Sequence, residues 1–383
     1  MNQWIVLNRR IVCIFSILTF ALAAGCNKTS APADIPVGEY GSMSGSEATF
    51  GQSTHKGIML AIDEINGSGG VLGKQLRDIN YDDQGSQDQA VTVVKKLIDQ
   101  DGVCAVIGEV ASSNSLAGGG VCQESQVPMI SPSSTNPDVT KNRDYVFRVC
   151  FTDDFQGSVG AQFALKQGWK KVALLTCEDS DYSKKLSEFF KQTFEAGGGT
   201  IVASETYYRA DKDDKSQLTR IAAATPDAVY LPGYYTNVVL ILRQAREDIG
   251  LKVPFFGGDG WDSTDTLALG PIADGCYFTN HYSPDDQRPS VQQFIAAYKA
   301  KYNGELPDAM AITGYDAAKV LANSIKRANS IDPKAIRDAI AQTKDFPGAG
   351  GNITLDENRN ARKPIVILEI LGGKTKLADT IQP

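Results

Sequence analysis

Histidine is nearly absent: His55 and His281 are the only two in 383 residues. Neither lies beside a serine or cysteine in a nucleophile elbow, and GSMSG at 41–45 has Met43 where such an elbow needs serine. A triad gathered from distant parts of the chain stays open. There is no GxxxxGK[ST], and the glycine pairs never form GxGxxG after a strand, so the phosphate-cradling loop motifs are missing. Cysteines number seven without CxxC spacing, which argues against a zinc knuckle or similar metal site. Basic residues are outnumbered 38 to 45, for a net charge of −7, so no basic face awaits nucleic acid. After the first 25 residues no apolar run is long enough to span a bilayer.

That first segment reads as a processing signal. Arg9 and Arg10 precede an apolar stretch, residues 11–24, that is too short to span, and LAAGC ends at Cys26. Small residues before a cysteine resemble a bacterial lipoprotein box, although Ala23 stands where leucine is commoner; cleavage elsewhere with an incidental cysteine is the alternative. The expectation is export by the general secretory route, removal of residues 1–25, lipidation of Cys26 and a flexible tether over 26–33. Such a protein is anchored to a bacterial membrane, facing the periplasm or cell surface, rather than embedded in it. Five cysteines then remain in an oxidising compartment. Cys104 starts a strand and Cys122 lies near the end of the helix running back beside it, so these two are the expected disulfide. Cys150, Cys177 and Cys276 read as small buried hydrophobes.

Much is organised around residues 105–137. An apolar strand (Ala105–Ile107), a serine-rich turn, a helix from about Ser113 to Ser125, a strand (Val127–Ile130) and a second Ser/Thr turn follow one another. Two parallel strands thus deliver Ser112, Ser113, Ser115, Ser133, Ser134 and Thr135 to one sheet edge, where α/β proteins bind ligands and free N–H groups accept anions. The plainer role for any one of them is an N-cap or turn. Alternating strands and helices from Ile35 onward imply right-handed βαβ units and parallel sheets. The length calls for two domains, and the second half repeats the architecture without an evident sequence repeat. Three helices (289–301, 309–328, 333–343) then come in succession, suited to packing on an existing sheet, and a strand at 364–371 closes the pattern.

Several segments closely resemble the branched-chain amino-acid binding proteins of ABC importers: MSGSEATFGQ, NGSGGVLGKQL with YDDQ after it, IGEVASSNS, PMISPSSTNP, DAVYLPGYYTNVVLILRQAR and FFGGDGW. The likeness covers nearly the whole chain after residue 34, in order. It implies a type I periplasmic binding protein fold: α/β, two Rossmann-like parallel-sheet lobes joined by three crossing strands. The N-lobe is expected over 34–150 and 283–362, and the C-lobe over 151–282 and 363–383. It further implies a monomeric carrier without cofactor or metal, not an enzyme, delivering a small amino acid to a membrane permease.

By the same resemblance Ser112 and Thr135 hold the α-carboxylate, Thr135 also touches the ammonium, and Ser133 offers it a backbone carbonyl. Asp259, in GGDGW, pairs with the ammonium where many relatives carry glutamate. Tyr182 and Tyr234 come from the closing lobe, and Phe50, Val110, Ala111 and Met310 wall the substrate side chain. A zwitterion needs anion donors on one side and a carboxylate on the other, and this set divides that way. Without the likeness Asp259 reads as a turn residue, the two tyrosines equally as lobe-surface packing, and Trp261 as structural. A ligand sensor, a carrier of an amide or aromatic acid, and a secreted enzyme remain as alternatives.

Overall fold

The computed structural model describes residues 34–383. The signal segment, Cys26 and the tether lie outside the described residues. Two sheets carry the architecture. The first is built from β1 (Ile35–Gly41), α1 (Ala48–Gly67), β2 (Leu76–Asp82), α2 (Gln87–Asp99), β3 (Val106–Ile107), α3 (Ser112–Ser125), β4 (Met129–Ser131) and β5 (Val146–Arg148). Its order is β2-β1-β3-β4-β5, and every pairing is parallel. β3, β4 and β5 are short and buried at every position, as both faces are covered by helices.

The second sheet follows with α4 (Asp153–Lys166), β6 (Lys171–Cys177), α5 (Asp181–Ala196), β7 (Thr200–Tyr207), α6 (Lys215–Ala223), β8 (Ala228–Tyr230), α7 (Tyr235–Arg243), β9 (Phe255–Gly257), the single turn α8 (Thr264–Leu267) and β10 (Cys276–Asn280). The chain then returns to the first sheet with α9 (Pro289–Lys301), α10 (Ala309–Ala328), α11 (Pro333–Ala341) and a small ladder, β11 (Phe346–Gly348) with β12 (Gly351–Ile353). It crosses once more to add β13 (Ile365–Leu371) and β14 (Lys374–Ile381). The seven-stranded order is β14-β13-β10-β9-β8-β6-β7, with the last two additions antiparallel.

The cores explain the allocation. Ile35, Val37 and Ile107 pack with Ile58 and Ala61 of α1, Leu321 and Ile325 of α10 and Ile336 of α11. α10 is buried on nearly every face, so its apolar residues need no single stripe; Asp308 caps it through the Ala311 N–H at 3.0 Å. Val366, Leu368 and Ile370 of β13 join Val229, Phe255, Trp261 and Phe278 in the second lobe. Trp261 is fully buried, its Nε1 donating to the Leu231 carbonyl at 2.9 Å, as expected of a structural tryptophan.

The disulfide expectation fails: Cys104, Cys122, Cys150, Cys177 and Cys276 are all free and buried. Cys104 packs into the core shared with α1 and α10, whereas Cys122 packs with Val94 and Leu97 of α2 on the other face of the sheet. Two thiols on opposite faces of one sheet cannot meet. β14 escaped the sequence reading because it alternates exposed and half-buried residues at a sheet edge, behind a Gly372-Gly373 turn with both φ positive (59° and 70°). Among the described residues no helix is long and apolar enough to cross a membrane.

Candidate functional site

The carboxyl ends of the two sheets face each other across a closed cleft. β3 runs into Gly108, whose φ of +144° suits glycine and whose Cβ would stand 2.3 Å from the Tyr40 carbonyl. The chain then turns through Glu109 and Val110 into α3. Glu109 is fully buried, and its Oε1 accepts from the backbone N–H and hydroxyl of Ser42 at 3.1 and 2.9 Å. Burial, with Asp83 adding, pushes its carboxyl well above the ordinary range. The same desolvation takes Asp83 to about 6.

Serines brace this turn. The Ser131 hydroxyl donates to the Glu109 carbonyl at 2.8 Å, and the Ser134 hydroxyl lies 2.7 Å from Ser115 Oγ and 2.8 Å from the Val110 carbonyl. Fully buried Arg148 donates to the carbonyls of Ser134 and Asn136 at 2.6 and 2.7 Å, fixing the second turn. Ser115 and Ser134 therefore build the loops rather than face the cleft. Ser113 reaches the other lobe, donating to Asp181 Oδ2 at 2.9 Å.

A small cavity lies between the lobes, lined by Phe50, Val110, Ser133, Thr135 and Met310 from the first, and by Tyr182, Tyr234, Asp259 and Gly260 from the second. The structure thus brings eight of the ten expected ligand residues around one space. Ser112 and Ala111 stand just behind that wall: Ala111 packs in the same cluster, and the Ser112 N–H donates to the Tyr234 hydroxyl at 3.3 Å. Tyr182 and Tyr234 are stacked, centroids 5.1 Å apart and 9° from parallel, and Phe50 meets Tyr234 edge-on at 5.6 Å. Both tyrosines are buried, which raises their hydroxyl pKa well above the usual range. The Ser133 hydroxyl is taken up by Thr313 Oγ1 at 2.7 Å.

Asp259 is the cavity's only lining carboxylate, and it is held by Tyr182 and by two residues that sequence reasoning missed, Gln156 and His281. Gln156 Nε2 donates to its Oδ1 at 2.8 Å, and the Tyr182 hydroxyl does so at 3.0 Å. His281 Nε2 lies 2.9 Å from Oδ2, and its ring stacks on Phe151 with centroids 4.1 Å apart. Two carboxylate oxygens offer about four acceptor positions, so one more donor can be taken at Oδ2. Gly260 packs so closely that a Cβ would stand 2.7 Å from the Gly233 carbonyl and 2.9 Å from the Tyr234 ring. No motif marks Gln156 or His281; only the crossing of the chain between sheets puts them beside Asp259. A second acid, Asp153, is fully buried with neither oxygen partnered, and burial pushes its carboxyl well above the ordinary range.

Direct bonds close the cleft: Tyr235 and Thr236 donate to the Ser46 carbonyl at 2.9 and 3.0 Å, Asn136 donates to the Asp181 carbonyl at 2.9 Å, and Arg209 lies 3.9 Å from Glu47. The site is thus a small enclosed chamber with one carboxylate, facing hydroxyls and an apolar wall.

Residues 34–374 match the sequence profile of periplasmic binding proteins. The chain belongs to the periplasmic binding protein family. This periplasmic binding protein is 34% identical over 331 residues to the Leu/Ile/Val-binding protein BraC3 of Rhizobium johnstonii, covering 85% of this chain and 89% of that one. It superposes on the leucine binding protein LivK of Thermotoga maritima with a TM-score of 0.87 and 37% identity, over 91% of this chain and 99% of that one. For LivJ of Streptococcus pneumoniae in complex with isoleucine, the TM-score is 0.86 and the identity 34%, over 92% and 100%. The two-lobed α/β architecture is that of the type I periplasmic binding proteins.

Proposed function

We propose that this protein captures a branched-chain or other small aliphatic amino acid by closure of its lobes and delivers it to an ABC permease, releasing it chemically unchanged. The observation that carries the reading is the division of the chamber: Asp259 on one side, the turn of Ser133 and Thr135 on the other, and Phe50, Val110 and Met310 between them. The Tyr234 oxygen already accepts from the Ser112 N–H, the donor that an incoming carboxylate takes over. The ammonium then occupies the remaining acceptor position of Asp259 and meets the Ser133 carbonyl. Ala111 supports the wall that Val110 presents. An apolar lining with few convergent polar groups fits leucine, isoleucine or valine better than glutamate or a sugar. Leucine has nine non-hydrogen atoms, and at about 1 kcal/mol each micromolar binding is attainable.

Capture follows a hinge order: docking on the first lobe, then closure of the second, which brings Tyr182, Tyr234 and Asp259 over the ligand and expels water. Lipidation of Cys26 keeps the monomeric carrier at the membrane beside its permease; the lobes are expected to divide at 150/151, 282/283 and 362/363. Calorimetric titration of the purified protein, freed of copurified ligand, against leucine, isoleucine, valine, phenylalanine, glutamate and a short-chain amide tests the assignment. Micromolar or tighter binding of the branched aliphatic amino acids supports it, and binding of the amide or glutamate alone refutes it.

A further inference from the structure

The first lobe holds a second polar group, beneath α1, that the amino-acid chamber does not use. β1 and β2 pair in register with Val37 opposite Asp78 and Glu39 opposite Asn80. Alternation puts Val37, Glu39, Asp78 and Asn80 on one face of the sheet, the face on which Ile35 and Val37 pack against α1. One turn beyond Phe50, α1 presents His55 to this corner. Its Nδ1 lies 2.9 Å from Glu39 Oε2 and 4.0 Å from Asp78 Oδ2, and the Asn80 amide stands 3.4 Å away.

A glutamate in this position is out of place on the apolar face of a buried strand. Glu39 is only 1% exposed. Its Oε1, like Asp78 Oδ1, is buried without any hydrogen-bond partner. Unpartnered buried carboxylate oxygens are costly, and two carboxylates side by side repel each other, so the corner favours a positive charge. One donor atom from each of the three side chains falls within 4.8 Å of the other two. Ligand atoms about 2.0–2.1 Å from a tetrahedral metal are about 3.3 Å apart, inside the spread seen here. The His55 side chain, 37% exposed, leaves an entry path. Lys301, the nearby cation, is engaged by Asp63 at 2.6 Å.

The geometry points to a divalent first-row metal site formed by Glu39, His55 and Asp78, with zinc as the probe. One imidazole with two carboxylates is a three-ligand set that leaves an open position, whereas magnesium and calcium favour all-oxygen shells. The ion takes the place of the His55–Glu39 hydrogen bond and ties α1 to β1 and β2. The role is structural, since the chamber lies at the other end of that stretch of α1.

The test uses the whole protein after chelator treatment. Zinc titrated by calorimetry binds one ion per chain, and zinc at about a hundredfold excess over its Kd raises Tm by ~3–8 °C. Glu39→Gln and Asp78→Asn, which keep side-chain shape, each weaken zinc at least tenfold, and His55→Phe abolishes it, while leucine affinity stays within twofold. Cobalt reports the ligands independently: an intense thiolate charge-transfer band overturns the assignment by placing the metal on a cysteine. No one-to-one uptake, or uptake indifferent to all three variants, also overturns it. So does a Tm that responds to pH but not to zinc, which means the two carboxylates share a proton instead.

Discussion

Asp259→Asn isolates the charge that the chamber reserves for an ammonium. The substitution keeps the side-chain shape: an amide oxygen still accepts from Gln156 and Tyr182, now at 2.8 and 3.0 Å from Oδ1. The amide NH₂ falls where Oδ2 meets His281 Nε2, and a neutral imidazole can present that nitrogen as an acceptor. The fold is therefore kept, with Tm within a few degrees of the parent. The ligand loses more. Its ammonium would be buried against an amide, and breaking a buried charge pair costs about 3–5 kcal/mol. At about 1.4 kcal/mol per tenfold change, leucine binding weakens roughly 100- to 5,000-fold. Calorimetry on ligand-freed parent and variant reads this directly. Affinity within threefold of the parent, in a variant that melts normally, would refute the pairing of Asp259 with the ammonium.

The remaining expectations are smaller. Ser133→Ala leaves leucine affinity within threefold, because the Ser133 hydroxyl is spent on Thr313 at 2.7 Å and the proposed contact to the ligand is made by its carbonyl; the loss is one buried hydrogen bond, about 1 kcal/mol of stability by denaturant titration. Alkylation of the denatured protein without reductant, read by mass spectrometry, labels Cys104, Cys122, Cys150, Cys177 and Cys276 alike; a persistent Cys104–Cys122 bridge contradicts the placement of these residues on opposite faces. Stability also has a pH signature. Burial, with Asp262 adding, takes the Asp308 carboxyl up to about 7, so the folded state holds its proton more tightly than the unfolded chain. That contribution is complete below about pH 4 and is lost as pH rises through 7. Asp308→Asn, which retains the N-cap of α10, flattens the fall of Tm between about pH 4 and 7; an unchanged slope rules out Asp308 as its source.

Helices with strong end signals were readable in advance. Pro289 at the first turn of α9 and Asp308 before α10 mark their starts, and both helices fall where the pattern puts them. The start of α1 at Ala48 carries no such mark, since Glu47 gives no side-chain cap. That start matters because it puts Phe50 on a rigid helix at the chamber wall. The hydroxyl-rich turns were legible as a group but not individually: Ser115 and Ser134 differ from Thr135 only in which backbone groups lie nearby. Gln156 and His281 carried no local signal, because their meeting with Asp259 is set by where two connections cross between the sheets. The cysteine pairing failed for a related reason. Antiparallel neighbours in sequence order suggested proximity, but the layer each side chain enters depends on the sheet face it occupies.

The claim that this chamber holds a zwitterion is tested most directly by titrating the ligand-freed protein with leucine and with 4-methylpentanoate, which keeps the carboxylate and the branched tail but lacks the ammonium. Leucine binding at micromolar or better, with the acid at least a hundredfold weaker, is the result this account predicts. Equal affinity for the two would contradict it, leaving the closed two-lobed fold in place but removing Asp259 from ligand recognition.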